Sequence, residues 1–293
     1  MKRTAAILIL ACLAFCGASA QNYYDRFDGF IRKIMSTGLD SEYISMSLTS
    51  WEIPSCVGSH GQKYSISTAD GTVLQNDSGN VCDGGIGLGY HGLDFIWKKG
   101  FGSNKDNFSN YFEFDFYDNY WGFQMITTRA EQFGTGLTTA TYGGYFAFNG
   151  NRYSYPAAIY GNYVQKKSAG SPMLFFWYDR NKARSLEPHA SPMIVNNFSV
   201  CGGYGYNFAL DEGRTLFNVT AAAGLIAPYW GVSAQARCSF IHWFNDYVRI
   251  NASAVQYASA GWKNSSQHLF STDWTLNLGL TFCFGKLVVT NLK

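Results

Sequence analysis

The run Thr275-Leu276-Asn277-Leu278-Gly279-Leu280-Thr281-Phe282-Cys283-Phe284 alternates between small or polar residues and bulky apolar ones. Successive side chains of a β-strand point to opposite faces, so the leucines and phenylalanines would share one face. A bulky apolar face opposite a small, polar face is typical of a membrane barrel, with lipid outside and a polar interior. The run therefore predicts a barrel strand near the C-terminus.

The same alternation recurs along the chain. We predict further strands at residues 43–51, 83–90, 93–98, 112–117, 121–128, 142–148, 153–166, 173–179, 197–208, 217–225, 232–240 and 248–254. Single-chain bacterial barrels favour even strand numbers, so the pattern predicts an antiparallel transmembrane β-barrel of about twelve strands. A secreted soluble β-sandwich that binds carbohydrate is the alternative, but its strands are usually shorter. The short turns at residues 118–119 and 245–246 also favour the barrel.

The composition supports an exported membrane protein. Aromatic residues make up 17% of the chain and charged residues only 14%. Residues 1–20 have the basic start, apolar stretch and Ala18-Ser19-Ala20 end of a signal peptide. We therefore expect location in the bacterial outer membrane after cleavage near Ala20. A net charge of +2 gives no reason to expect a nucleic-acid partner.

The predicted organisation has four parts. After the signal peptide, residues 21–82 would hold a short helix, a first strand and a loop or minor hairpin. Residues 83–285 would form the main barrel, and residues 286–293 a C-terminal tail. The helix is predicted at residues 23–36, where Phe27, Phe30, Ile31 and Ile34 recur at helical spacing. It could lie on the membrane surface or pack against one end of the barrel.

Charged residues at inward-facing positions predict a polar lumen. Glu113 and Asp115 fall on the inner face of one predicted strand, and Arg237 and Arg249 on the inner faces of two others. Charges shielded from water are costly unless they are paired, so we expect these four residues to form a network across the lumen. Such a network would fill a narrow barrel or line a polar pathway.

Catalytic residues are harder to identify. Lipid hydrolases and acyltransferases need a nucleophile, a base and an orienting group within reach of one another. The weak candidates are His91 at a turn, with Asp94 close by, and His189 in a loop. An enzyme that acts on lipid acyl chains or envelope glycans therefore stays an alternative.

Several other side chains have more than one interpretation. Lys166 and Lys167 would be interfacial cations at a strand end, where they could contact anionic headgroups. Cys56 and Cys82 lie in the irregular N-terminal part and could form a disulfide in an oxidising compartment. We expect no metal and no cofactor, because no cysteine or histidine cluster has ligand spacing.

Several short segments resemble the bacterial family catalogued as domain of unknown function 4421. The resemblance rests on residues 40–44 (DSEYI), 87–90 (GLGY), 120–123 (YWGF), 154–158 (SYPAA) and 165–171 (QKKSAGS). It implies an outer-membrane barrel without an established activity, so it assigns no catalytic residue.

Together these observations predict a monomeric outer-membrane barrel that is structural or a narrow pore with a polar, charge-filled lumen. Its partners would be membrane lipid and, during biogenesis, the barrel-assembly machinery.

Overall fold

A computed structural model describes residues 18–67, 73–105, 110–132, 135–185, 193–264 and 267–285. In chain order its elements are α1 (Ala18–Met35), β1 (Ile44–Met46), β2 (Trp51–Ser67), β3 (Val73–Asp77), β4 (Val81–Tyr90), β5 (Leu93–Phe101), β6 (Asn110–Tyr117), β7 (Trp121–Gln132), β8 (Thr135–Ala147), α2 (Tyr155–Ile159), β9 (Tyr163–Gln165), β10 (Ala169–Ser185), β11 (Met193–Leu210), a 3₁₀ turn (Asp211–Gly213), β12 (Thr215–Ala227), β13 (Trp230–Asn245), β14 (Val248–Trp262) and β15 (His268–Phe284).

The wall is a closed antiparallel barrel of twelve strands, as predicted. Each strand from β4 to β15, apart from the short β9, pairs with the wall strand next to it in sequence. β15 pairs with β2 from Leu269–Ile66 to Phe284–Trp51, which closes the barrel. β3 and β4 pair with successive parts of β2 and together occupy one strand position. The soluble β-sandwich alternative is therefore wrong.

The barrel begins earlier than the predicted boundary at residue 83. β2 forms part of the wall, although the sequence assigned most of it to a loop or hairpin segment. Glycine and serine occupy several positions of β2, so the alternation of apolar and polar side chains along it is weak. The strand predicted at residues 43–51 is also corrected: Ile44–Met46 is a separate short strand that pairs with β9 rather than with the wall, and Trp51 begins β2.

The exterior of the wall is apolar. The bulky residues of the opening run point outward, with Leu278 57% and Phe282 50% exposed. Trp230 and Trp262 face each other across β13 and β14 at one end of the barrel, and Trp121 lies near the other. An apolar band with aromatic residues at both ends is the surface that a bilayer requires, and the barrel spans a membrane.

The helix predicted at residues 23–36 is present as α1. It lies at the end of the barrel where β2 begins and β15 ends, since the Trp51 indole donates to the Tyr24 hydroxyl at 2.9 Å. We call this end, which carries the turns at residues 91–92, 118–120 and 246–247, the plugged end. The opposite end is the far end. Residues 1–17 and 286–293, the predicted signal peptide apart from its last residues and the tail, lie outside the described residues.

Among the described residues, no helix is long and apolar enough to cross a membrane.

Candidate functional site in the barrel lumen

The connection between β8 and β10 folds into the lumen instead of forming a turn. It contains α2 and β9, and we call its residues 148–168 the plug. Tyr155, Pro156, Ala157 and Ala158 of α2 are all buried. A strand was predicted across residues 153–166, but only Tyr163–Gln165 (β9) is a strand, and the preceding residues form α2. Ser154 caps α2 by accepting from the Ala157 amide, and a proline near the helix start has a φ suited to a helix.

Amide side chains hold the plug to the wall. Asn207 of β11 donates to the Ser154 carbonyl at 2.7 Å and to Oε1 of Gln165 at 3.0 Å. Asn218 of β12 donates to Oδ1 of Asn207 at 2.8 Å and to the Tyr153 hydroxyl at 3.2 Å. All five side chains are buried. The network satisfies buried polar groups from both the plug and the wall, which would otherwise each cost about 1–3 kcal/mol.

Arg249 of β14 joins the plug to a second part of the wall. Its guanidinium binds both carboxylate oxygens of Glu52 on β2, with one distance of 3.0 Å. It also donates to the carbonyl of Tyr160, the residue that ends α2, and to that of Gly161. Both charged side chains are almost fully buried, at 3% and 5% exposure. A bidentate pair with further acceptors is the arrangement that compensates such burial.

The predicted four-residue charge network is only partly present. Glu113 and Asp115 lie together in the lumen, where Tyr111 and Gln124 donate to Glu113. Neither acid forms an ion pair with an arginine among the described residues. Arg249 instead pairs with Glu52, which sequence analysis missed because it placed that residue outside the main barrel.

A cavity of about 360 Å³ occupies the lumen beyond the plug. Its floor includes Tyr160 and Ile159 of the plug, and its walls are rich in serine, threonine and asparagine. Arg237 also lines it, as predicted from its inward position. The Trp177 indole of β10 meets the Tyr257 ring of β14 edge-on within the cavity wall, at 5.9 Å between centroids.

A cluster of apolar side chains lies at the far end of the cavity. The buried residues are Ile66, Val195, Ile226, Tyr229 and Leu269, which pack into one cluster. Three of them line the cavity. We call the cavity between the plug and this cluster the chamber.

His91 and Asp94 do not form a catalytic pair. His91 lies in the turn between β4 and β5 and contacts Oδ1 of Asp28 in α1 at 2.5 Å. Asp94 faces the lumen, where the Tyr117 hydroxyl donates to it. The contact of His91 is therefore with a helix that packs on the barrel end. His189, the third weak candidate, lies outside the described residues.

Asp28 is the centre of a buried polar cluster between α1 and the barrel. Arg32 donates to its Oδ2 at 2.9 Å and the Tyr90 hydroxyl donates to its Oδ1 at 3.2 Å. Burial would raise the pKa of Asp28, but hydrogen bonds from Ser50, His91 and Arg32 outweigh it and lower that pKa. Burial also lowers the pKa of His91, against the opposing effect of Asp28. At neutral pH the contact therefore joins a neutral imidazole to a carboxylate.

The remaining predicted residues have other roles. Lys166 and Lys167 do not end a barrel strand: their ammonium groups contact the Ser41 carbonyl at 2.9 Å and the Glu42 carboxylate at 2.8 Å. Contact with lipid headgroups stays a prediction. Cys56 and Cys82 are both free, so the disulfide prediction is wrong. They lie on opposite faces of the wall, since Cys56 lines the lumen and Cys82 is exposed on the outside.

Within the described ranges, no group of three or more histidine, cysteine, aspartate or glutamate side chains could hold a metal ion.

No family model and no curated protein matches the chain. Among solved structures, the β domain of the Bordetella autotransporter Brka is similar, with a TM-score of 0.38, 12% identity and coverage of 80% of this chain and 100% of that one. The translocator domain of the Neisseria meningitidis autotransporter NalP has a TM-score of 0.33, 9% identity and coverage of 91% and 98%. For the P. putida toluene transporter TodX the values are 0.28, 7%, 80% and 90%. At these scores the likeness carries no functional argument, and the barrel rests on its own strand pairing.

Proposed function

We propose that the protein is a bacterial outer-membrane barrel that does not conduct, because its own chain plugs the lumen. The observation that carries this proposal is the inward-folded plug between β8 and β10, held by Asn207 and Arg249. A narrow, continuous pore was the other possibility predicted from sequence. It is less well supported, because the plug and the far-end cluster each fill part of the lumen.

The orientation follows from the strand ends. In outer-membrane barrels short turns face the periplasm. We infer that the plugged end of this barrel, which carries α1 and the short turns, faces the periplasm. The exposed Phe27, Phe30 and Ile34 of α1 then lie at the level of the inner headgroups, as an interfacial helix requires. We propose that the signal peptide is cleaved near Ala20 before the barrel inserts into the outer membrane. The mass of the mature protein from isolated outer membranes tests this cleavage position.

The first test is whether the purified protein is a membrane barrel. It should stay folded in detergent and migrate faster in a gel before heating than after heating. Stable solution behaviour without detergent would contradict the proposal.

The second test is conductance in a planar bilayer. Wild-type protein should give no stable conductance steps. A variant with residues 150–167 replaced by a short Gly-Ser linker should give steps, because β8 and β10 remain paired up to Ala147 and Met173. Steady steps from wild-type protein would overturn the proposal. If the linker variant does not fold, Asn207→Ala with Asn218→Ala provides a milder loosening of the same plug, and Asn181→Ala, which bonds Thr139 on the wall, is its control.

We also propose membership of the family catalogued as domain of unknown function 4421. In support, the five segments that carry the resemblance all lie at or next to the plugged end: residues 40–44, 87–90, 120–123, 154–158 and 165–171. The lipid- or glycan-modifying enzyme is the weaker alternative, since His91 is engaged by α1.

A further inference from the structure

The two lumen arginines differ in how their charge is balanced. Arg249 has a carboxylate partner, Glu52, within its buried surroundings. Arg237 has none: among the described residues no carboxylate lies within 4.0 Å of its guanidinium. Its neighbours are the phenols of Tyr155, Tyr160 and Tyr257. A guanidinium removed from bulk water without an anion is costly, so this position favours a ligand that brings one.

A carboxylate on the same wall is also without a partner. Asp273 of β15 lines the cavity, and among the described residues it forms no ion pair and no hydrogen bond. Two titratable side chains, His60 and Asp179, lie near it. The Nδ1 atom of His60 contacts Asp83 at 3.2 Å, and Asp179 accepts from Thr141 at 2.7 Å. These two neighbours therefore have interactions of their own, and Asp273 remains available to a ligand cation.

The strand register places the two unpaired charges on either side of Tyr257. Tyr257 is directly opposite Asp273 on β15, whereas Arg237 on β13 is opposite Val255, one inward position further along β14. The Cα atoms of Arg237 and Asp273 are two strand spacings apart across the sheet and two residues apart along it, which gives a separation of about 12 Å. The side chains of Arg237 and Asp273 extend into the lumen over this distance, with Tyr257 between them. A Cα separation of this size is on the scale of one small molecule that carries opposite charges at its two ends.

An aromatic surface adjoins the two charges. Trp177 reaches Tyr257 from the other side of the barrel and lies over Gly143, where a side chain would collide with the indole. The cavity volume of about 360 Å³ is at the lower end of the range for small-molecule sites, which are concave and carry a few polar groups on apolar walls.

We propose that the chamber binds a small zwitterion with an apolar side chain, namely a free amino acid or a very short peptide. Its carboxylate binds Arg237, its ammonium group binds Asp273, and its side chain packs against Trp177 and Tyr257. A simple anion would leave Asp273 unpaired, and a simple cation would leave Arg237 unpaired. The proposal rests on the plugged chamber of the proposed function, but its test measures binding and does not depend on conductance.

The test is calorimetric titration of the detergent-folded protein with three probes. L-Phenylalanine carries both charges, 3-phenylpropionate lacks the ammonium group, and L-phenylalaninamide lacks the carboxylate. We expect L-phenylalanine to bind with a Kd below about 1 mM and each one-charge probe to bind at least about tenfold more weakly, as loss of a charge-assisted contact implies. Equal binding of 3-phenylpropionate would indicate an anion site, and equal binding of the amide a cation site. Either result would overturn the proposal. The absence of L-phenylalanine binding at about 10 mM, tenfold above the expected upper limit of Kd, would also overturn it.

Two variants assign the charges to their residues. Arg237→Gln should remove the preference for L-phenylalanine over its amide, and Asp273→Asn should remove the preference over 3-phenylpropionate. Lys98→Gln is the matched control, because Lys98 is a lumen cation that already bonds Asn277 at 3.1 Å. It should bind L-phenylalanine as wild type does. Unchanged selectivity in both test variants, with folding verified by the gel shift, would contradict the assignment.

Discussion

The half of the lumen next to the plug and the half around the cavity differ in how the charge of an inward-facing arginine is balanced. In the plugged half, Arg249 is paired with Glu52 and caps the end of α2. In the cavity half, Arg237 sits among phenols without a carboxylate partner. Both arginines occupy inward positions on neighbouring strands. The difference shows that position on a barrel strand decides whether a charged side chain faces the lumen. The contacts of that side chain with the plug and the wall then decide whether its charge is paired.

The largest expected effect comes from breaking the internal ion pair. Glu52→Ala should destabilise the barrel by about 3–5 kcal/mol, because it leaves the buried Arg249 without its counter-charge. Arg237→Gln should change the free energy of unfolding by less than about 1 kcal/mol, or should stabilise the barrel, since no ion pair is lost. Urea unfolding in detergent measures both. Equal losses in the two variants would remove the distinction between the halves.

A smaller loss is expected from the amide network of the plug. Asn207→Ala should cost about 1–3 kcal/mol, because the Ser154 carbonyl and the Gln165 side chain each lose a buried donor. The control is Asn181→Ala. Asn181 lines the cavity, and in the part of the chain described its side chain hydrogen-bonds only to the wall residue Thr139. We expect the control to stay within about 0.5 kcal/mol of wild type. If both variants lose the same stability, the network does not distinguish the halves.

Acidification should act on the plugged end. The folded pKa of His91 is below its ordinary value of about 6.5, so below that pH the unfolded chain takes up a proton first and stability falls. The lowered pKa of Asp28 adds a further loss as the pH falls below its ordinary value of about 4. The unfolding midpoint should therefore drop between pH 7.5 and pH 5.

The variant His91→Gln isolates this contribution from the other titrating groups. Its unfolding midpoint should depend less on pH than that of wild type over the same interval, because the variant lacks the imidazole that takes up the proton. A drop of the same size in wild type and His91→Gln would show that His91 does not carry the effect.

The rate of thiol modification should differ between the cavity half and the plugged half of the lumen. Cys56 lines the cavity, whereas Cys283 is buried beside Arg249 in the plugged half. In single-cysteine variants, a small charged methanethiosulfonate should modify Cys56 at least about ten times faster than Cys283, because access limits the rate. Mass spectrometry over time measures both rates, and equal rates would mean that the plug does not exclude solute.

Much of the wall could be predicted from the sequence because strand alternation is a local signal. The outward leucines of β15, the inward acids of β6 and the inward arginines of β13 and β14 all lie where the period of two predicts. Prediction was poorer for β2, where glycine and serine weaken the pattern. The plug was misassigned as a strand, although Ser154 followed closely by Pro156 is a local signal for a helix start.

The partners of the charged residues could not be predicted in the same way. Glu52 and Arg249 are 197 positions apart, and nothing local in the sequence links them. His91 and Asp94 are close in sequence, but their side chains serve α1 and the lumen respectively. Sequence proximity suggested a site there, and the barrel geometry separates its members.

By itself, the sequence determined a barrel wall with an apolar exterior and a polar interior, because alternation along a strand assigns each side chain to one face. Only the tertiary structure decided what fills that interior. The plug has no strong pattern of its own and is held by wall residues from distant strands, Asn207, Asn218 and Arg249. Arg237 lines the cavity beyond the plug, where no carboxylate among the described residues pairs with it.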